Sequence, residues 1–356
     1  MEALVSAQSV ATHWEVANRH VDEALRSAVA LAFVGSASAG KDSAIRALFG
    51  IDFGQIDPVP GSTDHVRVAA LGRDNQLLLV NTPGFGDVRT AVDKAARATL
   101  DQVDAFVYVL NCDGGATADE RRDLGAVHAF RRPTLVCLNK IDLIRTHQRD
   151  DFVKQTLAQL GVDRKDAAIC AFDPMPALAD EPIGVEPVLT WIQEAVGDSK
   201  GLLVAKHARN RAAACQALIT TAARRAAAAG AVPLPGVDAA AVTALQVRLV
   251  LDIAQVYGHP TNKDVALFIL GEVMVSAGRG FIRWGVEAAQ IAGWIPGGQA
   301  LLIATSALGA VISGATTFGV GRATVAYMER QGTISGPELR DIFDAEAGSW
   351  RDSNSR

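Results

Sequence analysis

A glycine-containing stretch near the start of the chain, VGSASAGKDS (Val34–Ser43), has the spacing of a phosphate-binding loop. Gly35, Gly40 and Lys41 form the pattern GxxxxGK directly after the apolar run ALAFV and directly before the helical stretch SAIRALFG. A strand and a helix that hold both ends of such a loop let its backbone N–H groups wrap a phosphate. We therefore predict that Lys41 reaches the β and γ phosphates of a nucleotide. The predicted phosphate-contacting residues are Gly35, Ser38, Ala39, Gly40, Lys41, Asp42 and Ser43.

A second motif, NKID (Asn139–Asp142), follows the apolar run TLVCL. A carboxylate at Asp142 accepts hydrogen bonds from the N1–H and 2-amino groups of guanine, which adenine does not offer. Asn139 is expected to tie this motif to the phosphate-binding loop. The predicted base-contacting residues are Asn139, Lys140, Asp142, Cys170, Ala171 and Phe172, the last three through a backbone N–H group to guanine O6. The two motifs together predict a site for GTP and GDP, and they disfavour an adenine-nucleotide kinase or ATPase.

Two segments between these motifs are candidates for sensing the γ-phosphate. The stretch LLLVNTPGFGD contains a TPG turn after a buried strand, which would bring the N–H of Gly84 near the γ-phosphate. Upstream, PVPGSTDH holds Thr63, the candidate threonine that closes on Mg²⁺, and Ser62 competes with it for that role. Lys41, Thr63 and Gly84 are therefore the predicted residues for GTP hydrolysis.

The order of these motifs resembles an Era-like GTPase of the translation-factor class, over residues 29–198. The second half resembles the helical domain of unknown function that follows such GTPase domains in many bacteria. That second resemblance is carried by VPLPGVDAAAVTALQVRLVLDIAQVYG, GWIPGGQA and ATTFGVGRATVAYMERQG. The resemblance implies a guanine-nucleotide-binding protein whose nucleotide state controls a helical domain with a membrane or assembly role.

The chain departs from the GTPase pattern at two positions that belong together. The pattern has Ser or Thr at position 42, which ligates Mg²⁺, and Asp at position 81, which holds a metal-bound water, whereas this chain has Asp42 and Asn81. The exchange moves one carboxylate toward the metal, and Mg²⁺ accepts carboxylate oxygens readily. The predicted metal ligands are Asp42, Thr63 and Asn81. Without a metal, Asp42 would repel each nearby phosphate charge by about 4 kcal/mol at an effective dielectric constant near 20.

The sequence leaves the rate of GTP turnover open. Phe85 follows the NTPG turn, so no glutamine stands there to orient the attacking water. Three hypotheses remain: a slow, Mg²⁺-dependent GTPase, a non-hydrolysing GTP- or GDP-binding scaffold, and a relic that binds no nucleotide. Arg67 and Arg89 lie near the candidate loops and are candidates to supply positive charge.

The elements that must position these residues alternate between short apolar runs and helical stretches. The runs VALAFVG, QLLLVN, AFVYVLN, PTLVCLNK and AAICAF each end at a polar or glycine loop, which predicts an α/β P-loop GTPase fold with a mostly parallel sheet. Apolar residues at helical spacing predict an amphipathic helix within residues 1–28, and no strand is expected after Gly197. The predicted organisation is a leading helix over 1–28, a GTPase domain over 29–198 and an all-α domain over 199–356. An alanine-rich helix is expected over Lys206–Ala229.

The composition narrows the class of protein. A net charge of −5 gives no electrostatic reason to expect nucleic acid as a partner. The N-terminal residues mix charges and lack the apolar run of a signal peptide, so a cytoplasmic location is predicted. The four cysteines are scattered without a CxxC pair, which is typical of small core residues in a reducing compartment.

An uncharged stretch, Ala288–Gly321, raises the question of a membrane. Gln299–Gly321 is long enough to cross a bilayer but is diluted by Gly, Ala, Ser and Thr, which weakens the free energy of insertion. Two interpretations stay open for this stretch: membrane association at the cytoplasmic face of the inner membrane, as a spanning hairpin or an interfacial wedge, or burial as a hairpin in a soluble helical core. The arginines of the alanine-rich helix make an anionic membrane surface a candidate partner of that helix. Self-association through the GTPase or the helical domain is a further predicted partnership.

Overall fold

The computed structural model describes residues 7–53, 67–82, 94–176, 179–231, 237–259, 263–273 and 298–354. The candidate switch residues Ser62, Thr63, Gly84, Phe85 and Arg89 lie outside these residues, as do positions 288–297 of the uncharged stretch. Their predicted roles therefore stay predictions.

The described residues form one six-stranded sheet with the order β2-β3-β1-β4-β5-β6. Every neighbouring pair is parallel except β2 and β3, so the prediction of a mostly parallel sheet is confirmed. The antiparallel edge strand β2 was not predicted, because it is short and one of its apolar residues, Val68, is 49% exposed. The strands are β1 Val29–Val34, β2 Arg67–Leu71, β3 Leu77–Asn81, β4 Ala105–Asn111, β5 Thr134–Asn139 and β6 Ala167–Ile169.

The apolar runs form the central strands because both of their faces are covered. All six residues of β5 and six of the seven in β4 are buried, as is typical of parallel strands that pack against other layers on both sides. The helices are α1 Ala7–Arg26, α2 Lys41–Phe49, α3 Lys94–Asp101, α4 Ala118–His128, α5 Arg149–Leu160, α6 Val185–Val196, α7 Asp198–His207, α8 Arg211–Gly230, α9 Val237–Val256, α10 Gly298–Glu329 and α11 Gly336–Asn354. Residues 263–273 are also helical.

The chain divides into two compact units. One unit runs from Ala24 to Ala214 and contains the sheet, and the other comprises Met1–Glu23 and Cys215–Arg356. The prediction of a helical C-terminal region is confirmed, because α8 to α11 follow the sheet without a further strand among the described residues. The predicted domain limits of 1–28, 29–198 and 199–356 stay a prediction, since a compact unit need not coincide with a domain.

The prediction of one alanine-rich helix over Lys206–Ala229 is wrong at its start. Helix α7 ends at His207, and Ala208 has extended backbone angles. The side-chain oxygen of Asn210 accepts a hydrogen bond from the N–H of Ala213, 3.0 Å away, and so caps the first turn of α8. The sequence predicts a continuous helix here because the alanines and arginines on both sides of Asn210 are strong helix formers.

Helix α10 carries most of the uncharged stretch and packs within the helical unit. A Cβ atom added at Gly314 would run into the ring of Trp350, and one added at Gly319 would lie 2.6 Å from the ring of Phe343. The amide of Gln246 donates to the hydroxyl of Thr317 at 3.3 Å inside the same unit. These glycines therefore admit the aromatic rings of α11 rather than leaving a bare surface. No helix in the described part of the chain combines the length and hydropathy that crossing a bilayer demands.

His207, at the end of α7, is expected to make the stability of the sheet-containing unit depend on pH. Its Nε2 is buried without a hydrogen-bond partner among the described residues, and a Cβ atom at Gly72 would lie 2.7 Å from it. Burial, and then the charge of Lys206, hold the pKa of His207 below its ordinary value of 6.5. As the pH falls through 6.5, the histidine of the unfolded chain binds a proton more readily than the histidine of the folded chain, so the free energy of unfolding falls.

Replacement His207→Gln is therefore expected to reduce the loss of stability between pH 7.5 and pH 5.5. The measurement is urea unfolding of both proteins at about these two pH values, on either side of the ordinary pKa of histidine. His128→Gln is the matched control, because His128 is exposed. An unchanged pH dependence in His207→Gln would contradict the prediction.

Candidate nucleotide-binding site

The loop between β1 and α2 has the backbone shape of an anion-binding concavity. Gly35 and Gly40 have φ angles of 139° and 97°, and Ser38 is left-handed at 59°. A side chain at Gly35 would meet the carbonyl oxygen of Val109 in β4, and one at Gly40 would meet the side-chain amide of Asn139. Glycine is thus required at both positions, and the loop leads directly into the first turn of α2.

Lys41 is held at this loop by the loop itself. Its Nζ donates to the carbonyl oxygens of Gly35, at 3.1 Å, and Ser36, at 2.9 Å. Burial lowers the pKa of Lys41, and the negative charges of Asp42 and Glu120 partly oppose that shift. The ammonium group therefore already lies where a phosphate bound in the loop would need a positive partner.

The structure brings Asp42 and Asn81 together, although they come from different elements. Asp42 lies in the first turn of α2, and Asn81 ends β3. The Asn81 amide nitrogen donates to Asp42 Oδ1, and the Arg67 guanidinium lies 3.6 Å from the same oxygen. Asn81 is 2% exposed, and its Oδ1 has no hydrogen-bond partner among the described residues.

These two side chains fit a magnesium ion in their donor chemistry. The carboxylate of Asp42 and the orphaned Oδ1 of Asn81 are oxygen atoms of the kind that Mg²⁺ accepts as ligands. Within the described ranges, no group of three or more His, Cys, Asp or Glu side chains could hold a metal by itself. The predicted metal role of Asp42, Asn81 and Thr63 stays a prediction.

At the other end of the site, Asn139 joins the NKID motif to the phosphate-binding loop, as the order of the motifs predicts. Its amide nitrogen donates to the carbonyl oxygen of Ala39 in the phosphate-binding loop at 2.8 Å. Its Oδ1 accepts the N–H of Phe172 at 3.1 Å. Asn139 is buried, so one amide fixes the phosphate-binding loop, the NKID motif and the segment after β6 against one another.

Asp142 is also positioned by a contact that no motif revealed. Its Oδ2 accepts the N–H of Met175 at 3.3 Å, and the residue is 9% exposed. Leu143 and Met175, which are 45% and 53% exposed, supply apolar surface beside this carboxylate. The sequence separation of 33 residues hid the contact, although the rigid PMP tripeptide around Met175 is a signal of a fixed loop.

The segment Cys170–Phe172 is placed beside the base motif, but its N–H groups already have partners. They donate to the carbonyl oxygens of Leu138 and Ile183 and to the Asn139 side chain, in chain order. Contact of a backbone N–H group of this segment with guanine O6 therefore stays a prediction, and it requires that donor to be shared with its present acceptor. Burial raises the pKa of the Cys170 thiol at the start of this segment.

One cavity of about 590 Å³ connects the phosphate-binding loop to the base motif, a size typical of small-molecule sites. Of the predicted residues, Gly35, Ala39, Cys170 and Phe172 do not line it, and Thr63 and Gly84 are not described. The cavity also includes residues that the motifs did not identify. The lining residues are Ala37, Ser38, Gly40, Lys41, Asp42, Ser43, Arg67, Asn81, Thr82, Asn139, Lys140, Asp142, Leu143, Ala171, Asp173 and Met175.

Comparison with known proteins gives two family matches, one after the other along the chain. Residues 30–140 match the family described as "50S ribosome-binding GTPase", and residues 198–346 match "Domain of unknown function (DUF697)". The first match contains the phosphate-binding loop and the start of the NKID motif, and the second contains the helices α8 to α11 up to residue 346.

Curated relatives that match about a third of the chain are GTPases. The chain is 26% identical over 142 residues to GTPase Der of Clostridium tetani, which is 37% of this chain and 32% of the relative. It is 26% identical over 120 residues to GTPase Era of Lacticaseibacillus paracasei, which is 32% of this chain and 40% of the relative. The chain thus spans less than half the length of these relatives. The two family matches, in this order along the chain, agree with the resemblance to an Era-like GTPase domain followed by a helical domain of unknown function.

Proposed function

We propose that the protein binds GTP and GDP in the cavity and hydrolyses GTP slowly with Mg²⁺. The observation that carries the proposal is the Asn139 side chain, which joins the phosphate-binding loop to the base motif within one cavity. Lys41 supplies positive charge to the β and γ phosphates, and Asp142 supplies the acceptor for guanine. This geometry suits a whole guanine nucleotide better than a free phosphate or a free base.

Asp42 and Asn81 would hold the magnesium ion, with Thr63 as the third predicted ligand. When bound, Mg²⁺ neutralises charge on the β and γ phosphates and so favours transfer of the phosphoryl group to water. The loop N–H groups and Lys41 hold the phosphates in place for that step. The described cavity wall carries no glutamine to orient the attacking water, and the residue after the NTPG turn is Phe85, so slow turnover is proposed.

We further propose that the nucleotide state controls the helical region. The proposed outputs are self-association and contact with an anionic membrane at the cytoplasmic face, and they are measured by sedimentation with GDP or GTP, with and without phosphatidylglycerol vesicles. The net charge of −5 gives the chain no general attraction to RNA, so the ribosome named in the family description is not part of the proposal.

Replacement Asp42→Ala tests the enzyme against the non-hydrolysing scaffold. We expect it to abolish the Mg²⁺-dependent part of GTP hydrolysis, because the carboxylate that takes the metal is removed. The measurement is phosphate release at saturating GTP with Mg²⁺ or EDTA, and Asp163→Ala is the control because Asp163 is exposed. A scaffold would give no release in either protein. Equal displacement of labelled GTP by ATP would overturn the assignment to guanine nucleotides.

A further inference from the structure

The guanidinium group of Arg67 is fixed at the phosphate end of the cavity. Arg67 begins β2 and pairs with Asn81 across the antiparallel ladder. Its Nη1 donates to the carbonyl oxygen of Phe53 at 3.4 Å, and its Cζ lies 5.4 Å from the centroid of the Phe53 ring. Its Nη2 lies 3.6 Å from Asp42 Oδ1, and the side chain is only 23% exposed. These contacts on different sides hold one positive charge beside the unusual aspartate.

The phosphate end of the cavity carries one more positive charge than the phosphate-binding loop supplies. Asp42 places a negative charge where nucleotide phosphates must bind, and Lys41 by itself only balances it. Arg67 adds a second positive charge in the same wall of the cavity. A guanidinium carries five N–H donors in a planar fork, so it can serve a carboxylate and still present donors to a phosphate.

We propose that Arg67 is a built-in counter-ion for Asp42, which lets the loop hold the diphosphate of GDP when no divalent cation is bound. The proposal rests on the proposed binding of guanine nucleotides and adds a positioning residue to that site. Arg67 and a metal ion would both neutralise the charge of the Asp42 carboxylate. The metal is then needed for hydrolysis, whereas Arg67 by itself is enough for the loop to retain GDP. The sequence alone predicts repulsion between Asp42 and the nucleotide phosphates when no metal is bound, and Arg67 would offset that repulsion.

The test compares GDP affinity in Mg²⁺ and in EDTA, using calorimetric titration of the full chain with GDP. We expect removal of Mg²⁺ to weaken GDP binding by less than about tenfold in the wild-type protein and by at least about tenfold more in Arg67→Gln. Arg67→Lys keeps the charge and is expected to fall between the two. Arg122→Gln is the matched control, because Arg122 is an exposed arginine paired with Asp119 on α4.

The double variant Asp42→Asn with Arg67→Gln separates a counter-ion from a merely structural arginine. Removing both charges is expected to bring the GDP affinity in EDTA back to within about threefold of the wild-type value in EDTA, whereas a structural role would leave the double variant at least as weak in EDTA as Arg67→Gln. Melting curves of all variants identify any that fail to fold, and Arg67→Lys with the double variant carries the test in that case.

The outcomes distinguish this inference from the proposed function. Absence of GDP binding by the wild-type protein even with Mg²⁺ would overturn both. Normal binding with Mg²⁺, but the same loss in EDTA for wild type and Arg67→Gln, would overturn the role of Arg67 and leave the proposed function in place.

Discussion

Replacement Asp142→Asn is expected to lower the affinity for GTP by about a thousandfold, because the site then opposes the donors of guanine with a donor of its own. Met175 explains why the effect should be so large. Its N–H group binds Oδ2 of Asp142, and in the variant it would hold the amide oxygen there and turn the NH₂ group toward the base. Xanthine carries a carbonyl where guanine carries its 2-amino group, so the same variant is expected to gain affinity for xanthosine triphosphate.

The measurement is competition of GTP and xanthosine triphosphate against a fluorescent nucleotide in both proteins. Asp163→Asn makes the same chemical change at an exposed aspartate and should leave both affinities unchanged. Wild-type affinity for GTP in Asp142→Asn would show that the base does not bind at the NKID motif.

Replacement Lys41→Ala is expected to weaken GDP binding by more than about a hundredfold, because a charge-assisted contact to phosphate is lost from a partly buried site. Lys41 is already held in the loop by the carbonyl groups of Gly35 and Ser36. Ordering its side chain therefore costs little free energy on binding, and the substitution loses nearly the full contact to phosphate. Guanosine lacks phosphates and reaches only the base end of the cavity. Its affinity should therefore stay the same in Lys41→Ala and fall in Asp142→Asn.

Calorimetric titration with GDP and with guanosine checks both halves of this prediction. Lys154→Ala on α5 removes an exposed lysine and serves as the control. Equal losses for GDP and guanosine in Lys41→Ala would mean that the substitution had disturbed the whole cavity rather than its phosphate end.

The sequence predicted best those parts of the site that one short segment determines. Backbone angles and close neighbours require glycine at Gly35 and Gly40, so the spacing of the two glycines is enough to predict the loop. In the same way, the buried apolar runs are enough to predict the parallel strands. The Asn139 bridge was also expected, because it accompanies the order of the motifs. The confirmed fold and the helical C-terminal region rest on these local patterns.

The parts that the sequence did not predict depend on contacts between distant segments. The hydrogen bond of Met175 to Asp142 and the position of Arg67 opposite Asn81 require the assembled sheet and its loops. The break before α8 depended on a single cap, Asn210, within a sequence of strong helix formers. The uncharged stretch around α10 was ambiguous because glycine favours close packing in lipid and in a soluble bundle alike.

Helix α2 connects the phosphate-binding loop with the segment that precedes α8. It begins at Lys41 and has nine residues, which corresponds to a helix about 13 Å long. Near its far end, the carbonyl oxygen of Leu48 accepts the N–H of Arg209 at 2.8 Å, and α8 begins two residues later, at Arg211. One helix without an intervening loop therefore connects the phosphate-binding loop, at Lys41, with the hydrogen bond that holds the segment before α8.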